Sequence, residues 1–254
     1  MSAQLKEIIP GAGPFYYKGN EVGVLMIPGG GGGTCADLKP LAEDLNDKAN
    51  YTIHIPLLPG FGTSPDDLRT TSIEMWKEAI SNELIQIKSK CQKVIVGGHS
   101  FGGVLSLLLA EKNKIEGLFS ISTPIGIRKF AAKLVPIISK FMKYHTIPSK
   151  KFKKETNGKW VGYDKIPLNV VKKYKILMKE MKGILPKISC PILLFQGRLD
   201  KEIKKNSMDY IYGNIGSKIK KRVWLENNDH PILNSPDHYQ IIEELRKFIS
   251  KITS

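Results

Sequence analysis

The stretch that decides the fold is residues 94–103, which read Val-Ile-Val-Gly-Gly-His-Ser-Phe-Gly-Gly. It opens as a β-branched apolar run and continues into small and apolar residues typical of a helix. A strand that turns sharply into a helix needs glycine two residues before and two after the turn, because a side chain there would collide with strand or helix. Gly98 and Gly102 hold those places around Ser100. The pattern predicts an exposed Ser100 hydroxyl at a helix N-terminus, where developing negative charge is favoured; a glycine-rich turn with an incidental serine is the alternative.

On both sides of this stretch, strand and helix patterns alternate. Strand-like runs lie at residues 51–55, 94–96, 117–121, 192–195 and 222–225, and helical spacing of apolar residues lies at 37–45, 72–87, 104–111, 202–212 and 236–249. This alternation predicts an α/β fold with a mostly parallel central sheet and helices on both of its faces. Near the start, residues 15–18 and 22–27, joined by Gly19-Asn20, predict a β-hairpin.

The alternation stops at residues 126–187. This segment is rich in lysine, and its apolar residues have helical spacing at 130–142 and at 170–181. The first of these stretches carries the apolar stripe expected to roof a binding pocket, unless it serves only for packing. We therefore predict a core domain made of residues 1–125 and 188–254, with a small basic helical cap, residues 126–187, inserted between two strands of the sheet.

The positive charge is concentrated in this predicted cap. The chain has a formal net charge of +15, and residues 128–187 contain 17 lysines and arginines against 3 acidic residues. The rest of the chain is nearly neutral, which does not favour a nucleic-acid-binding domain. The basic segment either associates weakly with anionic lipid or is simply a solvated lysine-rich face.

A serine nucleophile needs a histidine base, and in an elbow of this kind the acid precedes the histidine along the chain. His230 lies on a loop between a predicted strand and the last predicted helix, so it is the candidate base, with His238 as its rival. His54 lies within a strand, His99 precedes the turn and should point elsewhere, and His145 lies in the basic segment.

The acid should follow the preceding strand. Asp200 lies just beyond the strand at 192–195, and it is the candidate orienting acid. A helix N-cap is its alternative role. Glu202, Glu226 and Asp229 are the other carboxylates within reach of this loop region.

The intermediate of acyl transfer carries an oxyanion that needs two hydrogen-bond donors. One is expected to be the Phe101 backbone N–H, and the other should come from the five-glycine loop at residues 29–33, with Gly30 preferred and Gly31 next. The same loop fails as a dinucleotide-binding fingerprint and lacks the lysine of a phosphate-binding loop. We expect no cofactor and no metal.

Taken together, these motifs resemble the bacterial and archaeal carboxylesterases that are close to monoacylglycerol lipases. The shared features are the glycine-rich loop, Gly60-Phe61-Gly62, the turn at 98–103, and the runs that lead to Asp200 and His230. The resemblance implies an α/β-hydrolase fold with a small cap, a Ser100, Asp200 and His230 triad, and an oxyanion hole at Phe101 and Gly30. The chain departs from that family in its Pro28-Gly29-Gly30 sequence with one extra glycine, and in Asp229 before the histidine.

We therefore expect a serine carboxylic-ester hydrolase that forms an acyl-enzyme with a small-molecule ester. A thioesterase or amidase would use the same triad, and a non-catalytic binding protein of the same fold is the rival from another class. Cys35, Cys91 and Cys190 show no disulfide or zinc spacing, and the first residues do not resemble a signal peptide. We expect a cytoplasmic protein.

Overall fold

The computed structural model describes residues 7–128, 142–232 and 235–254. Its centre is a seven-stranded sheet, formed by β1 (Phe15–Tyr17), β2 (Val22–Ile27), β3 (Thr52–Ile55), β4 (Lys93–His99), β5 (Gly117–Ile121), β8 (Ile192–Gly197) and β9 (Lys220–Leu225). The strand order is β1-β3-β2-β4-β5-β8-β9, and within this sheet only β1 runs antiparallel to its neighbour. The predicted mostly parallel sheet is confirmed.

Helices cover both faces of this sheet. The described helices are α1 (Lys39–Ala49), α2 (Pro65–Thr70), α3 (Ile73–Lys88), α4 (Phe101–Lys112), α5 (Ser149–Glu155), α6 (Leu168–Ile184), α7 (Ser207–Asn214) and α8 (His238–Thr253). Apolar residues of α1 and α8 pack on one face, and those of α3, α4, α6 and α7 pack on the other. Among the described residues, no helix combines the length and the apolar character needed to span a membrane.

Burial on both faces explains why the strands are apolar without alternation. In β4, Val94 and Val96 enter one core cluster while Ile95 enters the cluster on the opposite face. Successive strand side chains point to opposite faces of a sheet, so a strand covered on both sides needs an apolar residue at every position. The run at 94–96 thus identifies β4 as a central strand.

The predicted hairpin is wrong. The two strands form, but β3 lies between them: β1 pairs antiparallel with β3, and β2 pairs parallel with β3. Gly19 donates its backbone N–H to the Thr52 hydroxyl, and Asn20 donates its N–H to the Asn50 carbonyl. The Gly19-Asn20 turn therefore contacts the start of β3, and β1 becomes the edge strand of the sheet.

The segment between β5 and β8 is only partly the predicted helical cap. The helix predicted at 170–181 is confirmed as α6, whereas most of the one predicted at 130–142 lies outside the described residues, and Met142 itself is exposed. The segment also contains two strands that the sequence did not predict, β6 (Tyr144–Thr146) and β7 (Lys165–Pro167), paired antiparallel. Three-residue strands are too short to show a reliable alternation. The predicted boundaries of core and cap remain a prediction.

Parallel strands carry the candidate residues to one edge of the sheet. The glycine loop follows β2, Ser100 follows β4, Asp200 follows β8 and His230 follows β9. Because these strands run in the same direction, all four segments leave the sheet at its carboxyl edge, where ligands bind in sheets of this type.

Candidate active site

Ser100 occupies a strained turn between β4 and α4. Its backbone has φ 52° and ψ −117°, a conformation that residues other than glycine rarely adopt. A Cβ at Gly98 would come within 2.5 Å of the Gly102 backbone, and one at Gly102 would come within 2.0 Å of the Ile27 carbonyl oxygen. The two glycines are therefore required by close backbone packing, as the sequence predicted. The turn is held by the Ser100 N–H, which donates to the Ile121 carbonyl at 2.8 Å.

Ser100, His230 and Asp200 form a continuous hydrogen-bonded chain. The Ser100 hydroxyl oxygen lies 2.9 Å from His230 Nε2, and His230 Nδ1 lies 2.8 Å from Asp200 Oδ2. The three sequence-predicted residues are therefore brought together in the order nucleophile, base and acid that acyl transfer requires.

Both carboxylate oxygens of Asp200 accept hydrogen bonds. Its side chain is only 1% exposed, and its Oδ1 accepts the backbone N–H groups of Glu202 and Ile203. Burial by itself would raise the pKa of Asp200, but its hydrogen bonds with His230 and with those two amides keep the pKa below its usual value. Glu202 and Ile203 belong to this turn and not to a helix. The helix predicted over residues 202–212 begins only at Ser207, as α7.

Two of the competing carboxylates, Asp229 and Glu226, have partners other than the His230 ring. Asp229 Oδ1 accepts the backbone N–H groups of Lys201 and His230, so it shapes the loop. Glu226 pairs with Arg198 at the surface. The departure at Asp229 therefore leaves Asp200 as the partner of the histidine ring.

The other histidines have separate partners or positions. His238 pairs with Asp44, and His54 lies 2.7 Å from Glu83. His145 is exposed on β6. His99 is buried beside the site: its Nε2 contacts the His230 backbone carbonyl, a role that the sequence did not indicate.

The glycine loop is braced from the inserted segment. Tyr163 donates its N–H to the Gly32 carbonyl at 2.8 Å, and the Thr34 hydroxyl donates to the Val161 carbonyl at 2.9 Å. Gly31 and Gly32 have φ values of +76° and +94°, so these two positions need glycine for conformational reasons. Gly30 has a different constraint, because a Cβ there would lie 2.5 Å from the Tyr174 hydroxyl oxygen.

Asp37 is a partly buried acid near the site that the sequence did not single out. Burial raises its pKa to about 7, and the proximity of His230 offsets part of that rise. Its Oδ1 is buried and has no hydrogen-bond partner among the described residues. Within those residues, no group of three or more His, Cys, Asp or Glu side chains could hold a metal ion.

The chain is similar to known hydrolases over nearly its whole length. The family model described as "Serine aminopeptidase, S33" matches residues 19–237. The chain is 32% identical over 245 residues to a thermostable monoacylglycerol lipase of Bacillus sp. (strain H-257), covering 96% of each protein. It is 27% identical over 240 residues to a carboxylesterase of Bacillus subtilis (strain 168), covering 94% of this chain and 96% of that one.

A solved structure from work on LipS and LipT, two metagenome-derived lipolytic enzymes, superposes with a TM-score of 0.87 at 25% identity. It covers 96% of this chain and 100% of the other. The similarity therefore spans the sheet, the glycine loop and the inserted segment together.

Proposed function

The chain belongs to the serine aminopeptidase S33 family of α/β-hydrolases and is an ester hydrolase, and we propose that it works through Ser100, His230 and Asp200. The observation that carries these roles is the hydrogen-bonded chain from the Ser100 hydroxyl through His230 to Asp200. Hydrogen-bond reach from nucleophile to base, and from base to acid, is the geometric requirement for nucleophilic catalysis.

In the proposed first step, the Ser100 oxygen attacks the ester carbonyl carbon and His230 Nε2 takes the hydroxyl proton. The tetrahedral intermediate collapses when His230 returns that proton to the leaving alcohol, which leaves Ser100 acylated. Water, deprotonated by His230, then attacks the acyl carbon. The second intermediate collapses when His230 returns the proton to the Ser100 oxygen, which releases the carboxylic acid and restores the hydroxyl. Asp200 accepts from His230 Nδ1 throughout, so it fixes the tautomer and stabilises the imidazolium.

The negative charge of the intermediate requires donors already in place. We assign the backbone N–H groups of Phe101, at the N-terminus of α4, and of Gly30, in the loop after β2. The helix N-terminus adds a favourable dipole to the first of these.

The proposed substrates are carboxylic esters of small alcohols, monoacylglycerols included. The support is the pair of curated relatives, one a monoacylglycerol lipase and one a carboxylesterase, each matched over nearly its whole length. We also propose a cytoplasmic location, with which the unpaired state of all three cysteines is consistent.

A fluorophosphonate probe tests the assignment of the nucleophile. We expect stoichiometric labelling of Ser100, located by peptide mass spectrometry, and loss of both labelling and p-nitrophenyl ester hydrolysis in Ser100→Ala. Ser122→Ala is the matched control, because Ser122 also has a positive φ and follows the neighbouring strand β5. Labelling at another serine, or an active Ser100→Ala variant, would contradict the proposal.

The inserted segment is proposed to associate weakly with anionic lipid. Its support is the exposed lysine cluster on α5, formed by Lys150, Lys151, Lys153 and Lys154. Each lysine near an anionic surface contributes about 1 kcal/mol, and salt screens the attraction. We expect stronger binding to anionic than to neutral vesicles, weakening from 50 mM to 500 mM salt; equal binding to both would show a merely solvated face.

A further inference from the structure

Tyr174 reaches the site from the inserted segment. It lies on α6, where its side chain is buried together with those of Leu177, Met178 and Met181 at helical spacing. Its ring stacks on the ring of Phe101, with centroids 3.9 Å apart and an interplanar angle of 27°. The Trp76 ring lies 5.8 Å away on the same cluster. The residue that follows the nucleophile is thus covered by an aromatic side chain that the insertion supplies.

The other end of Tyr174 lies against the glycine loop. A Cβ built on Gly30 would lie 2.5 Å from the hydroxyl oxygen and 2.7 Å from two ring carbons. The hydroxyl is buried beside the glycine loop, where the Gly31 backbone is its polar neighbour and offsets part of the rise in the pKa of Tyr174 that burial causes. The ring and the hydroxyl of Tyr174 therefore both lie against the segments that carry the two proposed oxyanion donors.

These contacts place Tyr174 on one particular side of the reacting ester, an argument that rests on the proposed function. The ester carbonyl must lie between the Gly30 and Phe101 amides, and Tyr174 touches both of these residues. The leaving alcohol must lie near His230 Nε2, which protonates it. None of the described contacts of Tyr174 is with the His230 loop, so its ring borders the acyl side.

We propose that Tyr174 is the specificity-determining residue for the acyl group: its ring fills the space beside the oxyanion donors and restricts the enzyme to short acyl chains. A longer chain would have to displace a ring stacked on Phe101. Methylene groups that cannot be buried add nothing to transition-state binding. In an open pocket, each buried methylene would raise kcat/KM by about fourfold.

A chain-length series tests this role. The kcat/KM values for p-nitrophenyl esters from acetate to decanoate are measured for the wild type, Tyr174→Ala and Tyr174→Leu, the last in case the alanine variant does not fold. For the wild type, we expect kcat/KM to decline for acyl chains longer than butyrate. In the smaller variants, the ratio of octanoate to butyrate kcat/KM should rise at least tenfold.

Two controls test whether the volume of the Tyr174 ring, and not its hydroxyl or the packing of α6, sets the ratio. Tyr174→Phe keeps the ring and removes the hydroxyl, so its octanoate-to-butyrate ratio should match that of the wild type. Leu177→Ala opens a cavity at another buried position of α6 and should likewise keep the wild-type ratio. A raised ratio in Leu177→Ala would indicate a general loosening of the helix and would contradict the proposal.

Failure of this proposal differs from failure of the proposed function. An unchanged octanoate-to-butyrate ratio in Tyr174→Ala or Tyr174→Leu overturns the role of Tyr174 while Ser100 remains the nucleophile. Equal kcat/KM values for decanoate and butyrate in the wild type would also overturn the role of Tyr174. Absence of fluorophosphonate labelling at Ser100 would instead overturn the catalytic assignment on which the proposal rests.

Discussion

His99 Nε2 lies 2.9 Å from the backbone carbonyl oxygen of His230, so the residue before the proposed nucleophile holds the main chain of the proposed base. Burial, together with the nearby His230, lowers the pKa of His99 to about 3, and the ring is therefore neutral. A carbonyl oxygen only accepts, so Nε2 must carry the single proton and donate it. The two ring centroids are 5.1 Å apart. This hydrogen bond joins the turn after β4 to the loop after β9.

Replacement of His99 tests whether that hydrogen bond positions His230. His99→Phe keeps a ring but removes the donor, and leaving the partly buried carbonyl unpaired costs about 1–3 kcal/mol. We expect kcat/KM to fall roughly 10- to 100-fold. His99→Gln, whose amide can donate from a similar distance, should recover most of the loss. Equal losses in both variants would mean that ring packing, not the hydrogen bond, is what matters.

Asp200→Asn should be far more damaging than Asp229→Asn. An amide at position 200 cannot hold His230 in the required tautomer or stabilise its charged form, and kcat should fall by about 10³- to 10⁴-fold. The described hydrogen bonds of Asp229 are with backbone N–H groups, so its replacement should cost less than about tenfold. Steady-state kinetics on a short p-nitrophenyl ester decides between them, and the reverse order would assign the acid to Asp229.

Alanine at Gly30 and at Gly31 should separate the two candidate oxyanion donors. Gly30→Ala places a Cβ against the Tyr174 hydroxyl and ring, so the loop must shift, and we expect kcat to fall about 100-fold, the cost of one lost oxyanion donor. At Gly31 a Cβ meets nothing within 4 Å, and the φ of +76° costs about 1–2 kcal/mol of stability. Measurement of kcat alongside urea unfolding tests this contrast, and a larger loss of kcat at Gly31 would favour Gly31 as the donor.

Asp37 should make stability depend on pH. Its folded-state pKa of about 7 exceeds the ordinary 3.8, so the native state binds the proton more tightly, and this stabilisation is lost as pH rises towards 7. Asp37→Asn cannot ionise. Its free energy of unfolding relative to wild type should therefore increase by about 2–3 kcal/mol between pH 5 and pH 8.

Urea unfolding at pH 5, 6, 7 and 8 measures this difference. The exposed Asp164→Asn provides the matched control and should run parallel to the wild type across the range. A constant difference between Asp37→Asn and the wild type would show that Asp37 does not titrate with a raised pKa.

Local patterns in the sequence were sufficient to predict the strands and the turn around the site. Continuous apolar runs predicted β4, β5 and β8 because strands covered on both faces have no solvent side. The glycines around Ser100 predicted the turn, since backbone packing at two residues' distance leaves no room for a side chain. The order of strands and loops was enough to select Asp200 and His230 as candidates.

The sequence by itself determined the nucleophile turn and the layered α/β architecture, since both depend on residues within a few positions of one another. The tertiary structure decided which segments meet. It placed β3 between β1 and β2, and chose Asp200 over Asp229 as the partner of the His230 ring. It also set His99 against a carbonyl 131 residues away and brought Tyr174 onto Phe101. Such contacts depend on sheet order and on how the insertion packs, and spacing along one chain encodes neither.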